Sequence, residues 1–277
     1  MNKKTIKLFL MDGEIDGRMR CDVSNSNLVA YKIPRNMLKE CKGKEDFEYR
    51  GVYILFGEKD GKEAAYIGET KGIYKRLAKH SREKDFWNEA LVFVRNDDSF
   101  HEGNTKYIEN KLFKIAKKAK RYLIETTLTE ETELTESEYF EMEETIDLIK
   151  MITSVLGYKI FNEIANKKQV KPDNLLYIDS VGLHAVGAVT NEGFVVFKGS
   201  QSNPKIKEAC SECYKRKWKE LRDMKIVDKN NIFKQDKVFK SASTAAVMVL
   251  GRHTNGLKAW KNSDGKKLRE IMNENEI

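Results

Sequence analysis

Cysteine is scarce in this chain and long apolar runs are missing, and both absences limit what the protein can be. Four cysteines in 277 residues are too few for the disulfide framework of a small secreted domain. Cys210 and Cys213 form a lone CxxC, whereas a structural zinc site usually needs two such pairs. The apolar start is short and interrupted by Lys7, unlike a signal peptide. No stretch approaches the ~20 apolar residues of a membrane span. We therefore expect a cytoplasmic protein with no membrane partner.

Basic residues are absent from one segment, which concentrates positive charge in the rest of the chain. Ten acids and no Lys or Arg lie between Glu125 and Asp147, while the whole chain has a formal net charge of +8. The remainder therefore carries eight plus ten, or +18. Such an excess favours a polyanionic partner, because Lys and Arg on phosphates release condensed counterions. DNA is the partner that we expect.

The chain length and the order of its patterns predict two domains of the α+β class. We expect a hairpin leader at residues 1–45, a first domain at 46–165 that contains an acidic, Thr-rich loop at 125–138, and a C-terminal α+β domain at 170–277. In the first domain the predicted elements are a strand near 91–94 and helices at about 72–82, 103–121 and 138–155. In the C-terminal domain they are three strands, a basic helix from about 204 to 222 and a helix over 243–251.

Two tyrosines, Tyr53 and Tyr66, fall in alternating apolar runs that predict a β-hairpin. A turn at Lys59-Asp60 would pair Tyr66 with Tyr53, and a turn at Asp60-Gly61 would pair it with Leu55. Both registers put the tyrosines on one face, which we expect to point away from the aliphatic core. The alternative to a functional pair is a cross-strand aromatic contact, which stabilises by ~0.2–1 kcal/mol.

The helix after this hairpin carries Arg76 and His80 one turn apart, beside its buried stripe. We expect both side chains to be held firmly with their tips reachable. Arginine can grip two phosphate oxygens with its planar fork, and histidine can relay a proton near neutral pH. Gly68, before this helix, would let the backbone approach a ligand. The alternative is an amphipathic helix rim without a functional role.

A later helix has a glutamate in an unexpected position. Glu109 falls among apolar residues, and not on the basic face formed by Lys111, Lys114, Lys118 and Arg121. A carboxylate at an apolar rim is costly unless something positive meets it. Mg²⁺ is a natural partner, because it typically takes one or two carboxylates together with phosphate oxygens and water. The alternative is a glutamate that pairs with a neighbouring lysine.

Taken together, these residues resemble the GIY-YIG nuclease superfamily over roughly residues 48–120. Twelve residues separate GVY from YIG, an arginine comes eight residues after that last glycine, a histidine four residues further on, and YIEN on a later helix. The resemblance implies a small antiparallel sheet flanked by helices, with a single-metal phosphodiesterase site. Tyr53 and Tyr66 match its two motifs, Arg76 and His80 its helix signature, and Glu109 its metal-binding glutamate. The first motif here reads GVY, not GIY.

What the resemblance implies is an enzyme, a hydrolase that cleaves DNA as a metal-dependent endonuclease with Mg²⁺ or Mn²⁺, in bacterial restriction or phage defence. Two alternatives stay open: a non-catalytic DNA-binding or regulatory protein that keeps the fold, and a structure-specific DNA repair nuclease. The late asparagine of the family is unassigned, since neither Asn110 nor Asn162 aligns. To cut both strands of DNA, a protein with one active site per chain would have to act as a homodimer or bind its target twice.

The C-terminal part has a resemblance of its own. FKGS at 197–200, a helix capped by Ser241 or Ser243 and ended by Gly251, and Trp260 between two turns are similar to a small domain that follows GIY-YIG modules in bacteria. This domain is similar to the restriction-enzyme-adenine-methylase-associated (RAMA) domain, which is thought to read DNA. Trp260 is expected to be a core anchor. The basic helix at 204–222 would either contact phosphates or form a solvated face.

Overall fold

The computed structural model describes residues 3–126, 132–163, 167, 170–180 and 182–274. The chain divides into two compact units, Met1–Glu163 (unit 1) and Ile164–Ile277 (unit 2). Each unit combines helices with a sheet, so the predicted α+β class is confirmed. The predicted boundary, between residues 165 and 170, lies mostly outside the described residues. Within those residues no helix is both long and apolar enough to cross a membrane.

Unit 1 is built on a sheet that has seven strands in the described ranges. They are β1 (Ile6–Leu10), β2 (Met19–Val23), β3 (Leu28–Pro34), β4 (Gly51–Lys59), β5 (Lys62–Thr70), β6 (Trp87–Arg95) and β7 (Leu123–Ile124). Their order is β1-β2-β3-β6-β4-β5-β7, and the pairing is antiparallel except between β5 and β7. The leader hairpin predicted in 1–45 forms, but it is part of this sheet because β3 pairs with β6. The sheet is therefore larger than the small antiparallel sheet expected.

The helices of unit 1 agree with their predicted positions. They are α1 (Ile73–Glu83), α2 (Glu102–Ala119) and α3 (Glu136–Val155), and a 3₁₀ helix spans Arg35–Cys41. A capping box of Thr135 and Glu138 starts α3, because each side chain bonds to the backbone N–H of the other. The loop predicted at 125–138 thus ends in a helix, and its residues 127–131 lie outside the described ranges.

Both faces of this sheet are covered, and each has its own apolar cluster. Along β4 the side chains alternate between the two faces, as the period of a strand requires. Val52, Ile54 and Phe56 pack under α2 and α3, in a cluster with Ile108 and Ile149. Tyr53 and Leu55 pack on the other face, in a cluster with Leu77 of α1. The candidate site lies on this second face.

Unit 2 has a four-stranded antiparallel sheet in the described ranges, in the order β11-β10-β9-β8. Its elements are β8 (Leu176–Ser180), β9 (Leu183–Thr190), β10 (Gly193–Val196), α4 (Glu212–Asp223), β11 (Lys237–Phe239), α5 (Ala242–Leu250), α6 (Gly256–Ala259) and α7 (Leu268–Glu274). Ser241 caps α5 and Gly251 ends it in the left-handed conformation, at φ 65°. Trp260 is buried and donates to the carbonyl of Ala242, as a core anchor does.

The basic helix predicted from about 204 is shorter than expected. It starts at Glu212, because residues 205–211 form turns and irregular backbone. The amide of Lys205 bonds to the side chain of Asn203, and that of Lys207 bonds to the carbonyl of Gly251, so these amides are held outside a helix. Cys210 therefore lies before α4 and is buried, while Cys213 lies within it and is exposed; both thiols are free.

Candidate active site

The hairpin of β4 and β5 brings the two tyrosines to one face. Tyr66 lies opposite Leu55, and Tyr53 lies opposite Gly68. This is the register with Asp60-Gly61 as its turn, where both residues have positive φ, 52° and 72°. The rings of Tyr53 and Tyr66 are nearly parallel, at 22°, with their centroids 6.2 Å apart. The sequence left two registers open, and turn chemistry selects this one, since a type I′ turn favours Asp-Gly.

Gly68 makes room for a side chain of the protein itself. A Cβ at this position would lie 2.4 Å from the hydroxyl oxygen of Tyr53 and 2.5 Å from its Cζ. Such distances are far below van der Waals contact. The ring of Tyr53 therefore crosses directly over the Gly68 backbone, in the space that the sequence interpretation assigns to a ligand.

The face with the two tyrosines lies opposite to that of Val52, Ile54 and Phe56, as expected, but it is itself covered and buried. Tyr53 is 0% exposed and packs among aliphatic residues under α1. His80 is only 2% exposed, so its tip is not reachable as predicted. Tyr66 and Arg76 are partly exposed. The reason is that α1 and the 3₁₀ helix cover the second face of the sheet, which the pattern within one hairpin does not reveal.

The hydroxyl of Tyr53 is the centre of a hydrogen-bonded group. Its oxygen lies 2.8 Å from Nε2 of His80, and Nε of Arg76 donates to it at 3.1 Å. The phenol donates to His80 Nε2 in the tautomer that carries its proton on Nδ1, and in the other tautomer Nε2 donates to the phenol oxygen. His80 Nδ1 is buried and has no hydrogen-bond partner among the described residues. Tyr66 completes the group, with its ring centroid 5.0 Å from that of His80.

Burial controls the protonation of this group. It raises the pKa of Tyr53 well above that of a free phenol; Tyr66 and Glu109 raise it further, and the hydrogen bond from Arg76 only partly offsets them. Burial lowers the pKa of His80 to about 4, and the positive charges of Arg76, Lys84 and Lys79 act in the same direction. At neutral pH the pair is therefore a phenol and an uncharged imidazole.

Arg76 keeps its charge beside this pair. Burial works against the charge, but the hydrogen bonds and charge interactions with Tyr53 and Tyr66 outweigh burial and raise the pKa of Arg76. A guanidinium that is only partly buried can still turn its remaining N–H groups toward an anion. Lys84 adds a second positive charge, since its Nζ lies 4.5 Å from the ring centroid of Tyr66. The accessible part of the site is thus cationic.

Glu109 lies on α2, the helix that packs on the Val52 face of the sheet. It is 6% exposed, and it is near enough for its charge to raise the pKa of Tyr53. One carboxylate is a sufficient protein ligand for Mg²⁺ when water and phosphate oxygens supply the rest. No group of three or more His, Cys, Asp or Glu suited to a metal occurs in the described ranges, which include the CxxC of unit 2. The carboxylate of Glu109 is an oxygen donor of the kind that a hard cation such as Mg²⁺ takes.

A partly buried network one helical turn before Glu109 was missed from the sequence. Glu69 accepts a hydrogen bond from Thr105, one helical turn before Glu109, at 2.8 Å. The same carboxylate pairs with Arg50 at 2.9 Å. These contacts fix α2 against β5 and so fix the position of Glu109. A signal was present, because Glu69 directly follows YIG on the face of β5 opposite to Tyr66, and Thr105 precedes Glu109 by four residues.

The two asparagines considered for the family's late position have other partners. Asn110 donates to the carbonyl of Lys106 in its own helix, at 3.2 Å. Asn162 accepts from Ser154 through its side chain and from Arg121 through its carbonyl. The contact of Asn110 lies within α2, and those of Asn162 join the end of unit 1 to Ser154 and Arg121. No residue is therefore assigned to the late asparagine of the family.

Comparison with known proteins gives one finding, and it concerns unit 2. Residues 176–272 match the model of a family described as a domain of unknown function, DUF4357. The search of curated proteins gave no match. The search of solved structures gave none either. The match covers β8 through most of α7, the elements that surround the buried Trp260.

Proposed function

We propose that the protein is a metal-dependent endonuclease of the GIY-YIG type, which hydrolyses phosphodiester bonds of DNA at the site in unit 1. The observation that carries the proposal is the hydrogen-bonded group around the Tyr53 hydroxyl, with Arg76 and His80 in direct contact with it and the charge of Glu109 acting on it. What distinguishes Tyr53 from the equally buried Tyr31, whose hydroxyl contacts Arg20 and Asp46, is the imidazole at its hydroxyl. Unit 2 would direct the enzyme to its target.

The proposed mechanism assigns one task to each group. The Tyr53 hydroxyl orients the attacking water, and in one concerted step it accepts a proton from that water while giving its own proton to Nε2 of His80, so that no free phenolate forms. The water oxygen bonds to phosphorus as the bond to the 3′ oxygen breaks. Arg76 stabilises the charge of the pentacovalent transition state with its free N–H groups, and Tyr66 positions the phosphate. Glu109 would hold Mg²⁺ or Mn²⁺, which supplies positive charge to stabilise the leaving oxygen.

One observation favours a second candidate, a DNA-binding protein that keeps the fold without hydrolysis. Tyr53 is 0% exposed, and a group that activates water must reach it. Under the first proposal, the partly exposed side chains of Tyr66 and Arg76 must shift when a phosphate binds. Under the second, they stay in place, and Arg76 only contacts the backbone of DNA.

Cleavage of plasmid DNA by purified full-length protein separates the two candidates. We expect nicking with Mg²⁺ or Mn²⁺ and none with EDTA. Glu109→Gln should lower the rate by at least ~10²-fold, a loss typical of removing one transition-state-stabilising group. Glu102→Gln is the matched control, because Glu102 is an exposed acid on the same helix. A Glu109→Gln protein that cleaves at the wild-type rate would rule out Glu109 as the metal ligand, and a wild-type protein that binds DNA but cleaves none would favour the second candidate.

A further inference from the structure

A groove lies on the flank of α1 that is remote from Arg76. It runs between α1 and the 3₁₀ helix Arg35–Cys41 and has a volume of about 760 Å³, within the size range of ligand sites. Its polar lining includes Arg35, Lys39 and Arg82, with Tyr74 as an aromatic wall. None of the described residues that line it is acidic. The groove is therefore suited to an anion.

The positive charge at one wall is fixed in place. Arg35 donates to the carbonyls of Ser81, Trp87 and Asp85, at 2.7, 3.1 and 3.2 Å. Its guanidinium also lies over the Trp87 ring, 5.0 Å from the centroid. These partners are neutral, and the carboxylate of Asp85, at 3.7 Å, is fully exposed and screened by water. Arg35 thus caps the carboxyl end of α1, and its positive charge is held in a fixed position at the groove.

The other two cations are free to bind. Lys39 and Arg82 are exposed, and neither forms an ion pair in the part of the chain that the structure describes. The nearby Lys79 differs, since it faces Glu83 at 3.8 Å. Two exposed cations beside a fixed one, in a groove whose lining residues include no acid, raise the local potential for an anion.

The position of the groove on α1 suggests which anion it takes. At ~100° per residue, Tyr74 lies about 160° around the helix from Arg76, so one helix separates the groove from the candidate active site. A helix with its side chains is ~10–12 Å across, and the major groove of B-DNA is ~12 Å wide and admits a helix. The backbones on the two sides of a DNA groove belong to opposite strands.

We propose that the groove between α1 and the 3₁₀ helix binds the phosphate backbone of the uncut strand of duplex DNA while the other strand lies at Tyr66 and Arg76. This inference rests on the proposed function, because it names a second contact of the same substrate. Lys39 and Arg82 bind phosphates, and Arg35 supplies the fixed charge behind them. The site then prefers duplex to single-stranded DNA, since a single strand has no second backbone to offer.

The test is DNA binding by the full chain in EDTA, which keeps it independent of cleavage. Fluorescence anisotropy would compare the Lys39→Gln/Arg82→Gln double variant with wild type on a labelled duplex, between about 50 and 200 mM salt. We expect the slope of log affinity against log salt to shrink by about 2, roughly 0.9 for each phosphate that the variant no longer neutralises. Affinity for single-stranded DNA should be unchanged.

A matched control separates direct phosphate binding from general electrostatics. Lys7→Gln/Lys62→Gln removes the same charge from exposed positions on the edge strand β1 and at the β4–β5 turn. This control should keep the wild-type slope. Equal slopes for the two double variants would overturn the proposal, as would equal reductions in affinity for duplex and single-stranded DNA. A wild-type protein that binds no DNA would instead refute the proposed function, and with it this inference.

Discussion

Helices α1 and α2 are both rich in lysine, yet their positive charges are available to very different degrees. On α2, Lys111 pairs with Glu143 at 2.9 Å, and Lys118 pairs with Glu163 at 2.8 Å. On α1, Arg76 contacts a phenol, and Arg82 forms no ion pair in the described ranges. The acids at and after α3 therefore neutralise one face of unit 1 and leave the other basic. The number of basic residues in a helix does not locate a surface for a polyanion; the position of its acids does.

The two sides of the sheet also divide the proposed chemistry. The α1 side contributes the phenol, the imidazole and the guanidinium, in contact with one another. The α2 side contributes the single carboxylate of Glu109, which Thr105 and Glu69 help to position. A positive surface beside the scissile phosphate and a carboxylate behind it are what a cation-assisted hydrolysis requires. The following experiments test this division.

The largest effect should follow the loss of the phenol on the α1 side. Tyr53→Phe removes the hydroxyl between Arg76 and His80, and we expect cleavage to fall by ~10³-fold, as for the loss of a group essential to water activation. Tyr31→Phe is the matched control, because Tyr31 is equally buried in the same cluster and its hydroxyl bonds to Asp46. Each variant should lose about 1–2 kcal/mol of unfolding free energy. Equal cleavage rates for the two variants would contradict the assignment of chemistry to Tyr53.

The buried imidazole should make stability depend on pH. His80 has a pKa of about 4 in the folded chain and an ordinary value of 6.5 when unfolded, so between these values the unfolded chain binds more protons. The unfolding free energy should therefore rise with pH from about 4 to 6.5, and up to about 3 kcal/mol should be lost as the pH falls through that window. Urea unfolding followed by circular dichroism would measure it.

Two histidine variants make that measurement specific. His80→Gln should flatten the dependence on pH, whatever it does to absolute stability. His253→Gln should leave the dependence unchanged, because His253 is exposed. A wild-type slope in the His80→Gln protein would show that the imidazole titrates as it does in water.

Two glycines near the start of α1 should respond differently to one methyl group. Gly68→Ala would force a Cβ to 2.4 Å from the Tyr53 hydroxyl, and overpacking of this kind costs ~1–3 kcal/mol. Gly72 has open space around it and φ of −145°, so Gly72→Ala should change stability by less than ~0.5 kcal/mol. Thermal unfolding of the two proteins would compare them. Similar melting temperatures would mean that Tyr53 does not lie over Gly68 in solution.

Much of unit 1 could be predicted from the sequence because its elements have local signals. The three helices follow apolar periodicity, and the hairpin face of Tyr53 and Tyr66 follows from strand parity and Asp60-Gly61. The burial of His80 could not be predicted, because it depends on the 3₁₀ helix and on strands that are distant in sequence. The same holds for the place of β1 to β3 in the sheet, which depends on the pairing of β3 with β6.

The candidate site divides in the same way. Spacing along the chain was enough to select five residues, but their hydrogen bonds depend on the packing of α1 against β4 and β5. The role of Gly68 was misjudged because the sequence does not show what lies above a backbone. In unit 2, the late start of α4 at Glu212 reflects turns at 205–211 that a run of charged residues conceals. Local pattern gives the elements, and contacts between distant segments give the chemistry.

The smallest effect tests the neutralised face itself. Glu143 accepts hydrogen bonds from Tyr107 and Lys111, at 2.7 and 2.9 Å, so Glu143→Gln releases one lysine of α2. We expect a stability loss of only ~0.5 kcal/mol, because the pair is partly exposed. Affinity for duplex DNA should rise slightly, with a steeper dependence on salt. Glu144→Gln is the matched control, because it makes the same change of charge at an exposed acid that forms no ion pair with a lysine in the described ranges. If both variants raise affinity equally, total charge governs binding, and the contrast between α1 and α2 has no functional consequence.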